Sequence, residues 1–200
     1  MSCNVLRVYL MAIKSPIIFG VAGWSYPDWA GKVYPRGVKD RLAYLADYVD
    51  LIEINSTFYR IPTTDQVARW LRTIERRPAF SFSAKLHQDV THNGVLESPD
   101  IRRFHEGLAP LADAGRLRNL LAQFRFDFND VPERRLYLAR IRDAFGDLCP
   151  LTLELRHRSW QTGEALTFLR GLNVNVAALD YPLGRNAFDI EDPGVGEHGY

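Results

Sequence analysis

The stretch Leu151-Thr152-Leu153-Glu154-Leu155-Arg156-His157 decides the fold. Successive side chains of a strand point to opposite faces, so the leucines at 151, 153 and 155 share one face and Thr152, Glu154 and Arg156 share the other. The apolar face packs on helices, and the polar face turns toward an interior lined by neighbouring strands. Shorter or similar apolar runs recur along the chain: Ile17 to Ala22, Leu51 to Ile54, Phe80 to Ala84, Leu120 to Phe124 and Val174 to Leu179. Each is too short for a helix, and most contain branched or aromatic residues, which marks them as strands.

Helical segments separate these runs. Thr63 stands three residues before Gln66, ahead of Val67-Ala68-Arg69-Trp70-Leu71, with the spacing of a capping box. Ser98-Pro99 opens a helix through Ile101 to Ala114, which Gly115 ends. Asp130, followed by Glu133, opens Pro132 to Phe145, closed by Gly146, and Glu164 to Arg170 stops at Gly171. Strand and helix alternate, which predicts an α/β protein with a parallel sheet covered by helices.

No repeat, low-complexity tract or linker divides the chain. Residues 17–200 therefore read as one domain, preceded by an N-terminal arm over residues 1–16 in which Met11 is an alternative start. A TIM-type (β/α) barrel closes with about eight strands. After Asp180 the stretch Tyr181 to Tyr200 is rich in Gly, Pro and Asp and lacks a helical pattern, so the expectation is a barrel truncated after strand six of eight.

With 200 residues, 46% of them hydrophobic, the chain can bury a large core and lacks the composition of a disordered segment. Its 25 Lys and Arg nearly balance its 24 Asp and Glu, so no whole-molecule field draws it to nucleic acid or to an anionic membrane. Cys3 and Cys149 show no metal or redox spacing, which fits a reduced cytoplasmic setting. Arg7 interrupts the apolar opening, and no apolar run approaches the roughly 20 residues of a membrane helix. A soluble cytoplasmic protein with no membrane partner is expected.

The parity seen at 151–157 extends to the other strands. It groups Ser81, Ser83 and Lys85, groups Leu51, Glu53 and Asn55, and places Gln123 inward. Glu53, Lys85, Gln123, Glu154 and Arg156 thus converge late in their strands, toward the carboxyl-end face where barrel enzymes keep their chemistry. Charges inside a barrel are costly unless paired, so the cluster is either a structural ion-pair net or a site that tunes proton affinities. Glu53, Lys85, Glu154 and Arg156 are the candidate catalytic residues.

The loops after the strands supply candidate substrate-binding residues: Ser25 and Tyr26 after strand one, Asn55, Ser56, Thr57 and Tyr59 after strand two, and His92 after strand three. His157 and Trp160 follow strand five, and Asp180 follows strand six. Such an aromatic and polar rim suits a sugar ring or a nucleobase. Trp24, Trp29, Tyr34 and Phe58 read instead as filling between loops and helices.

Glu53, Glu154, His157 and Asp180 have the chemistry to hold a hard divalent ion. Their spacing carries no metal signature, and Lys85 and Arg156 can neutralise the carboxylates, so no metal ligand is assigned. Gly20 and Gly23 fit neither a phosphate loop nor a dinucleotide fingerprint, and there is no G-x-S-x-G elbow. No cofactor is assigned.

The strings Val21-Ala22-Gly23-Trp24-Ser25-Tyr26-Pro27-Asp28-Trp29, Glu53-Ile54-Asn55-Ser56-Thr57-Phe58-Tyr59 and Glu154-Leu155-Arg156-His157-Arg158-Ser159-Trp160 strongly resemble the YecE-like family, domain of unknown function 72. Phe82-Ser83-Ala84-Lys85 with Thr91-His92 resembles its third-strand motif. The resemblance runs from about Ile17 to Asp180 and implies a TIM-type barrel. It departs from the family after strand four, at Arg125-Phe126-Asp127, and the family's later strand motif has no counterpart before Tyr200.

Three functions compete. The first is an enzyme acting by acid/base chemistry on a small polar substrate, sugar-like or phosphorylated. Glu53 or Glu154 would handle the proton, and Lys85 and Arg156 would stabilise negative charge. The second is a nucleic-acid-binding or metal-dependent nucleic-acid-processing barrel that contacts phosphates through Arg60, Arg125, Arg156 and Arg158. The third is a ligand-binding barrel without catalysis. The sequence leaves enzyme or non-enzyme open, and it does not encode the oligomeric state legibly.

Overall fold

Residues 17–180 and 194–196 are described by a computed structural model of the chain, apart from the side chain of Ser98. Strands β1 (Gly20–Ala22), β2 (Leu51–Ile54), β3 (Ser81–Lys85), β4 (Leu117–Gln123), β5 (Leu151–Glu154) and β6 (Asn175–Val176) pair in sequence order. Every pair is parallel. Parallel neighbours need a crossover, which helices provide. These are α1 (Arg41–Leu45), α2 (Thr64–Thr73), α3 (Gln88–Thr91), α4 (Ser98–Asp113), α5 (Pro132–Phe145) and α6 (Gly163–Gly171). This is an α/β fold of the TIM-barrel type, with an open sheet whose edges among the described residues are β1 and β6. No helix among those residues is long and apolar enough to cross a membrane.

Register explains how one face of the sheet becomes apolar. Ile52 lies beside Phe82, Ile54 beside Ala84, Ala84 beside Leu120, and Ala122 beside Leu153. These residues are buried against Leu108 and Leu111 of α4, Leu138 and Ile141 of α5 and other helix residues in one continuous cluster. The opposite parity aligns Glu53 with Ser83, Lys85 with Leu121, Gln123 with Glu154, and Thr152 with Asn175. A slip of one residue in β2, β3 or β5 would send Glu53, Lys85 or Glu154 into the apolar layer.

Several boundaries differ from the expectation. β4 starts at Leu117, three residues before Leu120, because Gly115 takes a left-handed turn (φ 64°) that releases α4 straight into the strand. The sixth strand is confined to Asn175–Val176. Thr63 caps α2 as its spacing suggests, its Oγ1 accepting from the Gln66 N–H at 3.2 Å. Asp130 does not cap α5: Val131 holds that position, and the Asp130 carboxylate accepts from Arg135 Nε and Nη2, both at 2.6 Å. Gly171 is the last residue of α6, and the left-handed turn falls on Asn173 (φ 55°). Residues 1–16, 181–193 and 197–200, over which the arm and most of the final loop were expected, lie outside the described residues.

Candidate active site at the strand ends

The inward parity joins four strand ends through a chain of contacts. Lys85 Nζ lies 3.3 Å from Glu53 Oε1 and donates to Gln123 Oε1 at 3.3 Å. Gln123 Nε2 in turn lies 2.7 Å from both oxygens of Glu154. Arg156 closes the run, donating to Glu154 Oε1 from Nε at 2.8 Å and Nη2 at 2.5 Å. The four candidate catalytic residues are thus brought together, with Gln123 as the neutral link. Glu53 and Glu154 are buried, 7% and 8% exposed, while the Arg156 side chain is 40% exposed. Buried carboxylates at this depth are tolerable because each has a cation or amide donor beside it.

Beneath this layer, Thr152 Oγ1 donates to Asn119 Oδ1 at 2.8 Å, and Asn119 donates to the Leu120 carbonyl. Ser83 is fully buried on the same face. Asn119 escaped the sequence reading because strand four was started one residue too late to include it.

Tyr26 and Asn55 form a second group beside Glu53. The Tyr26 hydroxyl donates to the Ala22 carbonyl at 2.6 Å and accepts from Asn55 Nδ2 at 2.9 Å. That pattern fixes the amide orientation and leaves Asn55 Oδ1 buried without a partner. Gly23 makes the arrangement possible. Its φ is 77°, an added Cβ would collide with the Tyr26 ring and hydroxyl, and its N–H donates to the Glu53 carbonyl at 2.8 Å.

His92, at the end of α3, packs edge-on to Phe58 with ring centroids 4.9 Å apart, and its Nδ1 is 3.0 Å from Thr91 Oγ1. Burial pushes its pKa below the ordinary 6.5, and the nearby charges of Arg125, Arg156 and Lys85 lower it further against an opposing Asp127. A neutral imidazole therefore sits within the field of the charged chain. His157 points elsewhere: its Nδ1 accepts from the Ser159 N–H at 3.2 Å and lies 2.8 Å from Ser159 Oγ, which accepts from the Asp130 N–H.

The remaining candidates are scattered. Ser25 is exposed and accepts from Arg41 Nη1 at 3.2 Å, and Ser56 is exposed. Tyr59 is 70% exposed and packs edge-on to Phe58, the ring that His92 also contacts. Thr57 is fully buried, donating to the Ile54 carbonyl at 2.7 Å. Trp160 is also fully buried, its Nε1 donating to the Phe128 carbonyl at 2.7 Å and its ring stacked on Phe128. Neither Thr57 nor Trp160 offers surface to a ligand. Asp180 is exposed beyond β6, and no hydrogen bond or ion pair joins it to the chain of charges among the described residues. Those residues also hold no group of three or more His, Cys, Asp or Glu arranged for a metal. Arg125, 53% exposed and paired with Asp127 at 3.3 Å, and the 72% exposed Phe126 stand after β4. The departure from the family pattern at 125–127 pointed to both, and the nucleic-acid reading also named Arg125 as a phosphate contact.

The parallel sheet and its alternating helices define an α/β protein of the TIM-barrel class. Within that class the chain belongs to the family described as Protein of unknown function DUF72, whose profile matches residues 18–194, as the YecE-like resemblance implied. A DUF72 family protein from Thermotoga maritima is similar in structure, with a TM-score of 0.72 and 29% identity over 86% of this chain. Another, from Enterococcus faecalis, gives 0.75 and 26% over 87%. The chain spans 68% and 65% of those two proteins' lengths. No curated protein matches it.

Proposed function

We propose that this chain carries the reactive face of an enzyme that acts on a small polar substrate, sugar-like or phosphorylated, by acid–base chemistry. The observation that carries the reading is the unbroken run Glu53, Lys85, Gln123, Glu154, Arg156 across the carboxyl ends of four parallel strands. Both oxygens of Glu154 are occupied by Gln123 or Arg156, which suits it to positioning those groups rather than moving a proton. Glu53 is then the proton-handling carboxylate, and neutral His92 is available as its complement. Lys85 and the exposed part of Arg156 meet the negative charge of a phosphate or an oxyanion.

The test is turnover by the full-length protein across a panel of phosphorylated sugars and sugar acids. For a substrate that is turned over, Glu53→Gln and Lys85→Met each lower kcat by roughly 10²–10⁴-fold, measured at a temperature where circular dichroism shows each variant folded, since Lys85→Met leaves Glu53 without its cation and lowers the melting temperature. Turnover within a few-fold of the parent in both variants removes these residues from the chemistry. Salt-dependent binding of single-stranded or abasic DNA, lost when Arg125 and Arg158 are changed to Gln, would replace this reading with a nucleic-acid one.

A further inference from the structure

Asn55 carries an acceptor that the fold does not use. It follows the last residue of β2 and stands two positions beyond Glu53, roughly 6–7 Å further along at the rise of an extended chain. The Tyr26 hydroxyl lies 2.6 Å from the Ala22 carbonyl, which can only accept, so its one proton is committed there. Toward Asn55 the hydroxyl therefore accepts, and the amide must present Nδ2 to it. Oδ1 is left buried, with no donor among the described residues. Turning the amide over would set Oδ1 against an oxygen whose proton is already committed, so rotation brings no relief. A buried acceptor without a donor is destabilising by about as much as a lost hydrogen bond.

The surroundings hold this arrangement in place. Gly23 admits the Tyr26 hydroxyl and ring into space that a Cβ would occupy, and the ring packs on Trp29 with centroids 4.9 Å apart. Ile54 and Thr57, on either side of Asn55 in the chain, are fully buried, whereas Tyr26 is half-buried. Tyr26 is thus the neighbour whose movement can uncover the amide.

Within the acid–base reading above, on which this rests, we propose that Asn55 is the residue by which the site selects a sugar-like substrate. Its Oδ1 accepts from a hydroxyl of a polyhydroxylated compound, which reaches it when Tyr26 releases the amide. An amide oxygen attracts an O–H donor and repels an ionised phosphate oxygen, which has none to offer. A phosphate on the same substrate belongs instead with Lys85 and Arg156. An ammonium donor is disfavoured, because Glu53 and Glu154 each already have a cation, Lys85 at 3.3 Å and Arg156 at 2.5 Å.

Isothermal titration of the full chain with glucose 6-phosphate, ribose 5-phosphate and inorganic phosphate tests this. The expected result is that at least one sugar phosphate binds about tenfold or more tightly than inorganic phosphate. Asn55→Leu abolishes that preference, leaves the affinity for inorganic phosphate unchanged and does not lower the melting temperature, because it removes the unsatisfied acceptor. Tyr26→Phe, which frees the amide and keeps its acceptor, retains or strengthens the preference. No saturable binding of either sugar phosphate, no preference over inorganic phosphate, a preference that survives Asn55→Leu, or one lost only together with a fall in melting temperature in Asn55→Leu and also lost in Tyr26→Phe would each overturn the role of Asn55. Those results with turnover that still depends on Glu53 leave the acid–base reading standing, whereas turnover unchanged in Glu53→Gln removes both.

Discussion

His92 is the residue whose chemistry depends most on its neighbours. Burial and the charges of Arg125, Arg156 and Lys85 all favour its neutral form, so its C–H resonances should titrate with a midpoint below 6.5. The stability effect has a definite sign. Between the folded midpoint and the ordinary value, unfolding takes up a proton, so stability rises with pH through that window and is level above it. Arg156→Gln removes one of the repelling charges and moves the midpoint upward, measured by NMR titration. A phosphate bound beside Lys85 and Arg156 moves it the same way. An unmoved midpoint in Arg156→Gln would place His92 outside the field of the site. From the sequence, His92 was legible as a polar residue after the third strand and, through the family resemblance, as part of the third-strand motif. Its field comes largely from charges more than 30 residues away along the chain, which no local pattern encodes.

At the scale of elements, the short segment between β2 and α2 is fastened from both sides. Thr63 caps α2, and the α4 backbone at Gly107 lies against the Pro62 carbonyl. Gly107→Ala forces that contact apart. The expected loss is about 1–3 kcal/mol in chemical denaturation, within the range for overpacking a close contact. A neutral or stabilising result would mean that α4 can shift without disturbing the fold. The contrast between these two residues shows what local reasoning reaches. Thr63 and Gln66 are three residues apart, and their hydrogen bond follows from that spacing alone. Gly107 and Pro62 meet only because two helices pack together, and a glycine inside a helix gives no sign of which carbonyl it must admit. Asp130 fails as a predicted cap for a local reason instead: Arg135, five residues on, binds its carboxylate through Nε and Nη2, and Val131 takes the cap position.

For the whole molecule, the exposed rim of β1 is the feature with the clearest physical consequence. Phe19 and Ile17 are 70% and 82% exposed beside that edge strand. Unpaired strand edges with exposed apolar side chains template self-association. Phe19→Lys should therefore raise the monomer fraction in analytical ultracentrifugation at high protein concentration, and an unchanged distribution would show that this edge is not the point of contact. The sequence by itself determined the parallel α/β order, because short apolar runs alternating with capped helices allow few other arrangements. It also determined which face of each strand carries charge, since parity is a local property of an extended chain. Only the tertiary structure decided that Gln123 links Lys85 to Glu154, and that Trp160 and Thr57 are spent on the core while Tyr26 and Asn55 bond to each other. Those outcomes depend on register and on the depth of each side chain, which are fixed only when separate strands and loops pack together.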